Sequence, residues 1–153
     1  MKSLKNAIVF VACLFLSGNI LAQMTEDPTK WTFEAKKVSG NEYQLIYHLD
    51  LKQGWHIWSL KPGGDGYQIV PSFVLAKNPK VKIKGSVTEK GKSTTTKMEG
   101  IDGKVTYLSG KIDYVQQATI SGAGKVTGKL TYQVCDDKMC LAPKDKDFVF
   151  DIK

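Results

Sequence analysis

The residues of this sequence with the clearest chemistry are two cysteines near the C-terminus, Cys135 and Cys140. Cys135 follows an alternating run of apolar and polar residues that ends at Val134, and Cys140 precedes the next such run, which starts at Phe148. Antiparallel neighbours can bring Cα atoms into the roughly 4.4–6.8 Å range that a disulfide requires. The spacing therefore places the pair at the mouth of the last hairpin, where the two thiols can be joined.

Two roles are open for such a pair, a structural bond and a redox-active one. In the chain-entropy model, closing so short a loop stabilises the fold by only about 2 kcal/mol, against about 4.7 kcal/mol for a hundred-residue loop. A bond meant for stability would do better between distant strands. A short disulfide beside an exposed loop is the kind that another thiol can reduce. The spacing alone leaves both roles open.

The residues between the cysteines influence their reactivity. Asp136 and Asp137 place negative charge beside the thiols, and Lys138 opposes it. Net negative charge disfavours a thiolate, so the pair is predicted to be a poor free nucleophile. Neither the spacing nor the surroundings match the C-x-x-C of a thioredoxin. We interpret the pair as suited to a relay whose reactivity rises when a partner docks.

Metal binding is the alternative chemistry. The two cysteines with Met139, and with His48 or His56, offer soft ligands for Cu(I). No strong zinc pattern is present, because a structural zinc site needs four ligands. His48 lies on the polar side of its run and is expected at the surface, whereas His56 and Trp58 share one face of their segment, opposite Ile57. We expect no resident metal or cofactor, and neither a catalytic serine triad nor a phosphate-binding loop can be recognised.

Alternation of apolar and polar residues dominates the rest of the chain. The main runs extend over residues 31–35, 43–51, 126–134 and 148–152. Alternation over such lengths is typical of half-buried strands, and clusters of Gly, Pro, Asn and Ser separate them. Short strands at this spacing predict an all-β fold, a β-sandwich. Leu45, Tyr47, Leu130 and Phe150 should face its core.

The N-terminus has the pattern of a cleavable secretory signal. Lys2 and Lys5 precede an apolar run, and Ala22 offers a small residue at the cut. The run is too short to span a bilayer, so no stable membrane insertion is expected after cleavage. We predict a signal peptide over residues 1–22, which contains Cys13, a flexible leader over 23–30 and one domain over 31–153. Export to the periplasm would allow the remaining cysteines to form a disulfide.

The charge of the protein gives little support to nucleic-acid binding. The formal net charge of +7 falls to +5 when Lys2 and Lys5 are removed, and every basic residue is lysine. Arginine supplies the fork that reads guanine and clamps phosphate, so its absence argues against a nucleic-acid partner. The positive charge is consistent with a solvated surface.

Three motifs resemble those of a known family. The segment Tyr132-Gln133-Val134-Cys135-Asp136-Asp137-Lys138-Met139-Cys140-Leu141-Ala142-Pro143 is the most specific of them. Gly54-Trp55-His56-Ile57-Trp58-Ser59 and Pro71-Ser72-Phe73 precede it in the matching order. Together they resemble the N-terminal periplasmic domains of DsbD-type thiol:disulfide interchange proteins, over about residues 31–153.

The resemblance implies an immunoglobulin-like β-sandwich whose cysteine pair, Cys135 and Cys140, passes reducing equivalents. The donor would be a thioredoxin-like or membrane-embedded thiol protein, and the acceptors oxidised periplasmic proteins. Because the sequence ends at Lys153, before the family's membrane-spanning and thioredoxin-like parts, another protein is expected to supply the electrons. A binding module with a structural disulfide and a Cu(I)-binding domain are the alternatives.

The resemblance also assigns residues around the pair. His56 and Trp58 would line the cysteine pocket, with Tyr132, Asp136 and Asp137 near the cysteines. A cap loop that shields the pair maps onto residues 98–103. Its usual aromatic is missing, so Met98 or Ile101 would take that place, and Glu99 and Asp102 are its only acidic residues.

Overall fold

The computed structural model describes residues 26–153, which form nine β-strands and no helix. The strands are β1 (Thr29–Ser39), β2 (Glu42–Leu51), β3 (His56–Gly63), β4 (Ser72–Leu75), β5 (Val81–Thr96), β6 (Val105–Ile120), β7 (Gly124–Tyr132), β8 (Val134–Cys135) and β9 (Lys144–Ile152). The described residues therefore include no helix able to cross a membrane.

The strands form two antiparallel sheets that pack face to face. The larger contains β1, β2, β6, β3 and β8, with β5 paired to the other edge of β6, and the smaller has the order β4-β7-β9. Tyr47 of the larger sheet lies 4.5 Å from the ring of Phe73, 4.9 Å from Phe148 and 5.0 Å from Phe150, all from the smaller sheet. The predicted all-β, immunoglobulin-like β-sandwich is confirmed.

The apolar positions of the alternating runs form the core, as predicted. Leu45, Tyr47, Leu130 and Phe150 have no exposed surface. Burying a large apolar side chain stabilises the fold by about 1.5–3 kcal/mol. Many such residues contribute here, so we expect the sandwich to remain folded without the disulfide, whose short loop gives only about 2 kcal/mol.

A bend in β6 separates the core of the sandwich from its cysteine end. Residues 111–119 pair with β2, whereas residues 105–109 pair with β3. Gly110 lies between them with φ of 71°, a left-handed conformation that glycine adopts most readily. The register of β5 shifts opposite this point, between Gly91 and Lys92. β2 and β3 therefore lie end to end along one edge of β6, and β3 carries β8 at its own free edge.

The first strand begins two residues before Trp31, the residue at which the sequence predicted the domain to start. β1 begins at Thr29, and the Asp27 carboxylate accepts hydrogen bonds from the Thr29 amide and the Tyr132 hydroxyl, both at 3.0 Å. Lys144 forms an ion pair with the same carboxylate at 3.1 Å. These contacts fix residues 27–30 to the domain. The predicted signal peptide, residues 1–22, and residues 23–25 of the leader lie outside the described residues.

Gly128 provides a test of the packing within the smaller sheet. A Cβ atom at this position would collide with the carbonyl oxygen of Val74 and the ring of Phe148. We expect Gly128→Ala to lower the free energy of unfolding by about 1–3 kcal/mol in denaturant titrations, because backbone and ring must move apart. Lys125→Ala, at an exposed position of the same strand, should change it by less than about 0.5 kcal/mol. Equal stability of both variants would contradict this packing.

Candidate functional site

A disulfide joins Cys135 and Cys140 at the end of the sandwich that β3 and β8 build. β8 has only two residues, and both pair with β3, Cys135 opposite His56 and Val134 opposite Ile57. Cys135 also forms an isolated antiparallel bridge with Cys140. The Leu141 amide donates to the Val134 carbonyl oxygen at 2.9 Å and closes the hairpin behind the disulfide.

The two cysteines differ in exposure. Cys135 is 2% exposed and packs in an apolar cluster with Trp58 and Val105. Cys140 is exposed, as are its loop neighbours Lys138 and Met139. An incoming thiol can therefore approach the pair from the Cys140 side. The disulfide was expected to be exposed, and of its two residues only Cys140 is.

Asp136 shapes the loop between the cysteines. Its carboxylate accepts hydrogen bonds from the backbone amides of Lys138 and Met139, each at 2.8 Å, and its own amide donates to the Met139 carbonyl oxygen. The Lys138 and Met139 amides are the main cause of the lowered pKa of Asp136, with further help from the charges of Lys138 and His56. The carboxylate therefore stays ionised beside the disulfide. It disfavours a thiolate there, as the sequence indicated.

Most of the predicted site residues meet in one cavity of about 460 Å³. Of the predicted residues, its lining contains Cys135, Cys140, His56, Trp58, Met98, Glu99, Ile101, Asp136 and Asp137. Lys138 and Met139 complete the lining. The cavity thus collects the disulfide, one imidazole, one indole, charged side chains and the apolar residues of the cap loop, which we define as residues 98–103.

The apolar residues of the cap loop lie against the buried cysteine. Met98 and Ile101 pack on the cluster of Trp58, Val105 and Cys135. The Ile101 amide donates to the Met98 carbonyl oxygen at 3.3 Å, which forms a turn between the two residues. These two residues therefore lie next to the buried cysteine, and they are the ones that the resemblance put forward in place of the family's cap aromatic.

A second loop, residues 64–70, supports the cap loop and was not identified in the sequence. The Gly64 amide donates to the Lys104 carbonyl oxygen at 3.0 Å. A Cβ atom on Gly64 would lie 2.6 Å from a Val105 methyl group and 3.1 Å from one of Ile101. Val70 packs on the same apolar cluster. The sequence indicated a glycine-rich turn at this point, but it did not indicate that the turn contacts the cap loop.

Two predicted site residues lie elsewhere. Tyr132 packs in the main core, and its hydroxyl bonds to Asp27 and Thr29, each at 3.0 Å. It belongs to β7, which faces the interior of the sandwich before the chain crosses to β8. Asp102 is exposed and does not line the cavity. Its backbone N–H faces the carboxylate of Asp65 on the second loop and contributes to the lowered pKa of Asp65.

His56 lies at the inner wall of the cavity and is 6% exposed. Its ring centroid is 5.5 Å from that of Trp58 and 4.4 Å from that of Tyr107. Burial lowers the pKa of His56 below its usual value, against the opposing charges of Asp137 and Asp136. The imidazole is therefore neutral at pH 7. Tyr107 was missed because only the long-range pairing of β6 with β3 brings it here.

The geometry separates His48 from the cysteines. Its Nδ1 lies 2.7 Å from an Asp113 oxygen, and its Nε2 lies 3.2 Å from a Glu34 oxygen, on the exposed face of β2. Residues 26–153 contain no group of three or more His, Cys, Asp or Glu side chains arranged to hold a metal ion. The Cu(I) alternative would have to use the sulfurs of Cys135, Cys140 and Met139, with His56 as the near imidazole.

Similarity to known proteins agrees with the geometry of the site. The family model described as thiol:disulfide interchange protein DsbD, N-terminal, matches residues 22–152. No curated protein sequence matches the chain.

Two solved structures are similar to the chain. The N-terminal periplasmic domain of ScsB from Proteus mirabilis has 14% identity and a TM-score of 0.57 over 80% of this chain. The match spans 45% of the ScsB chain, and at this identity it supports the fold alone. The DsbD n-terminal domain of Neisseria meningitidis, in the reduced form, has 15% identity and a TM-score of 0.42, over 78% of this chain and 84% of that one. On the match of the family model across residues 22–152, this chain belongs to the DsbD N-terminal domain family.

Proposed function

We propose that this domain is a periplasmic relay that passes reducing equivalents through the Cys135–Cys140 pair. The observation that carries the proposal is the asymmetry of the disulfide. One cysteine is exposed at the mouth of a cavity, and the other is buried under the apolar residues of the cap loop. An exposed sulfur can meet a partner, while a buried neighbour is held ready to resolve the mixed disulfide. Membership of a thiol:disulfide interchange family supports this assignment.

The proposed exchange proceeds in two balanced steps. The Cys140 thiolate attacks an oxidised partner, one partner sulfur leaves as a thiolate, and a mixed disulfide forms. Cys135 then loses its proton and attacks Cys140, which releases the second partner sulfur and restores the Cys135–Cys140 bond. Two electrons pass to the partner. In the reverse direction a dithiol donor attacks Cys140, and Cys135 leaves as a thiolate. The donor's second thiol then attacks the donor sulfur of the mixed disulfide, which releases Cys140 and leaves the donor oxidised.

The partners follow from the chemistry and the family. A thioredoxin-like or membrane-embedded thiol protein would reduce the pair, and oxidised periplasmic proteins would reoxidise it. The N-terminal signal pattern and the periplasmic location of the ScsB domain support a periplasmic site of action. The negative charge of Asp136 and Asp137 disfavours a thiolate, so we expect a docked partner to raise the reactivity of the free thiols.

The order of attack can be tested with glutathione disulfide and intact-mass measurement. Reduced Cys135→Ser protein should retain one glutathione, because Cys140 is exposed and nothing resolves the adduct. Wild-type protein should pass through this adduct and finish as the internal disulfide. Cys140→Ser, the matched control, should react at least about tenfold more slowly, because its remaining thiol is buried.

The same variants distinguish a relay from a structural bond. In the envelope, Cys135→Ser should also hold a protein partner as a reducible species of higher mass, and Cys140→Ser should not. Replacing both cysteines with serine should lower the free energy of unfolding by about 2 kcal/mol and leave the sandwich folded. Collapse of the fold on reduction, with no trapped adduct, would identify the pair as a structural disulfide.

The cap loop is proposed to limit access to the reduced pair. Met98 and Ile101 cover the cluster that contains Cys135, so the double change Met98→Gly, Ile101→Gly should accelerate oxidation by glutathione disulfide several-fold. Val74→Gly, at an exposed apolar position of the smaller sheet, serves as the control and should leave the rate unchanged. An unaltered rate in the cap-loop variant, measured by stopped-flow mixing, would show that the loop does not control access.

A further inference from the structure

One row of paired residues connects His56 to both cysteines. Ser109 of β6 pairs with His56 of β3, His56 pairs with Cys135 of β8, and Cys135 pairs with Cys140. Directly opposed residues in antiparallel strands point to the same face, with Cβ atoms about 4.5–5.5 Å apart. The imidazole and the buried cysteine are therefore immediate neighbours across the sheet.

His56 also lines two cavities. One is the cysteine cavity, and the other is an open cavity of about 590 Å³ whose lining includes His56, Asp137, Tyr107 and Lys92. Burial lowers the pKa of its ring against the charges of Asp137 and Asp136, so the resting imidazole is neutral and able to accept a proton. The ring can thus exchange a proton with a group in one cavity and with water in the other.

The resolving step of the exchange needs a base at this position. A thiol with an ordinary pKa of about 8.5 is only a few per cent thiolate at pH 7. Burial of Cys135 and the carboxylates of Asp136 and Asp137 lower that fraction further. The attack of Cys135 on a mixed disulfide at Cys140 would be slow unless a neighbouring group accepted its proton.

We propose that His56 is the proton acceptor for Cys135 in the resolving step. This inference rests on the proposed relay function and extends it. As the Cys135 sulfur attacks the Cys140 sulfur, the Cys135 S–H bond breaks and its proton passes to the neutral imidazole. The bond between Cys140 and the partner sulfur breaks, and the partner leaves as a thiolate with the electron pair. The imidazolium then releases the proton to water in the open cavity, and the reverse reaction uses the same groups.

The charges around the ring are compatible with this role. The titratable and charged groups that line the two cavities with His56 are Lys52 after β2, Lys92 of β5, Tyr107 of β6, Glu99 of the cap loop, and Asp136, Asp137 and Lys138 of the cysteine loop. Asp136 and Asp137 stabilise the imidazolium once it forms, while burial keeps the resting ring neutral. A general base is most effective when it is neutral at the working pH yet can be protonated transiently.

The resolving step can be isolated with a chromogenic aromatic disulfide. Reduced protein should release one coloured thiolate when Cys140 forms the mixed disulfide and a second when Cys135 displaces the aryl sulfur. The second release is intramolecular, so its rate reports on Cys135 alone. In wild-type protein this rate should be constant near pH 7. It should fall in acid, once the pH drops below the lowered pKa of His56 and the imidazole becomes protonated.

His56→Phe keeps an aromatic ring but removes the base. At pH 7 the second release in this variant should be roughly ten- to a hundredfold slower than in wild type. Its rate should rise with pH and reach the wild-type rate once most Cys135 is already thiolate. His56→Gln, which can hydrogen-bond but cannot accept the proton, should be equally slow. His48→Gln, the matched control at the only other histidine, should keep the wild-type profile. Unfolding midpoints of all variants serve to confirm that they are folded.

The outcomes separate this inference from the relay itself. A wild-type rate and pH profile in His56→Phe, or full activity in His56→Gln, would overturn the role of His56 and leave the relay intact. A wild-type protein that gives no second release would overturn the relay and the role of His56 together. A slower second release in the His56 variants, with an unchanged first release, would support both the relay and the role of His56.

Discussion

The pairing of two residues of β8 with β3 determines where both sulfurs lie. Cys135 is placed opposite His56 in this short ladder, and Cys140 follows through its own bridge to Cys135. Because Val134 pairs with Ile57 on the core side, the ladder is anchored in the main core while its other face carries the site. Loss of this register would separate the imidazole, the buried cysteine and the apolar cover.

The residues that hold the two sheets together and the residues around the disulfide lie in different regions of the fold. The aromatic residues around Tyr47 hold the two sheets together far from the cysteines. Beyond the bend at Gly110, the strand β6 supports β3, the cap loop and the second loop instead. The disulfide lies in this second region and closes a short loop, so its reduction costs the fold little. A cysteine pair that is repeatedly oxidised and reduced requires a fold that stays stable in both states.

The sequence predicted the local features well, because they depend on short-range patterns. Alternation indicated the strands and their inward positions, and it placed His56 and Trp58 on the face opposite Ile57. In the structure Ile57 packs in the main core, whereas His56 and Trp58 line the cysteine cavity. The two-residue β8 and the contribution of Tyr107 were not predictable, since both arise from pairing between distant segments. The resemblance placed Tyr132 near the cysteines, but its strand directs it into the main core. Residues 27–30 were assigned to a leader because they are polar, whereas their contacts are with Tyr132 and Lys144.

The reduction potential of the Cys135–Cys140 pair, measured by equilibration in thiol redox buffers, tests the central claim most directly. A disulfide that exchanges with partners should have a potential less negative than about −300 mV, in the range of envelope oxidoreductases, and the protein should remain folded in both states. A potential well below about −300 mV would contradict the account, because a bond so resistant to reduction serves as a structural crosslink.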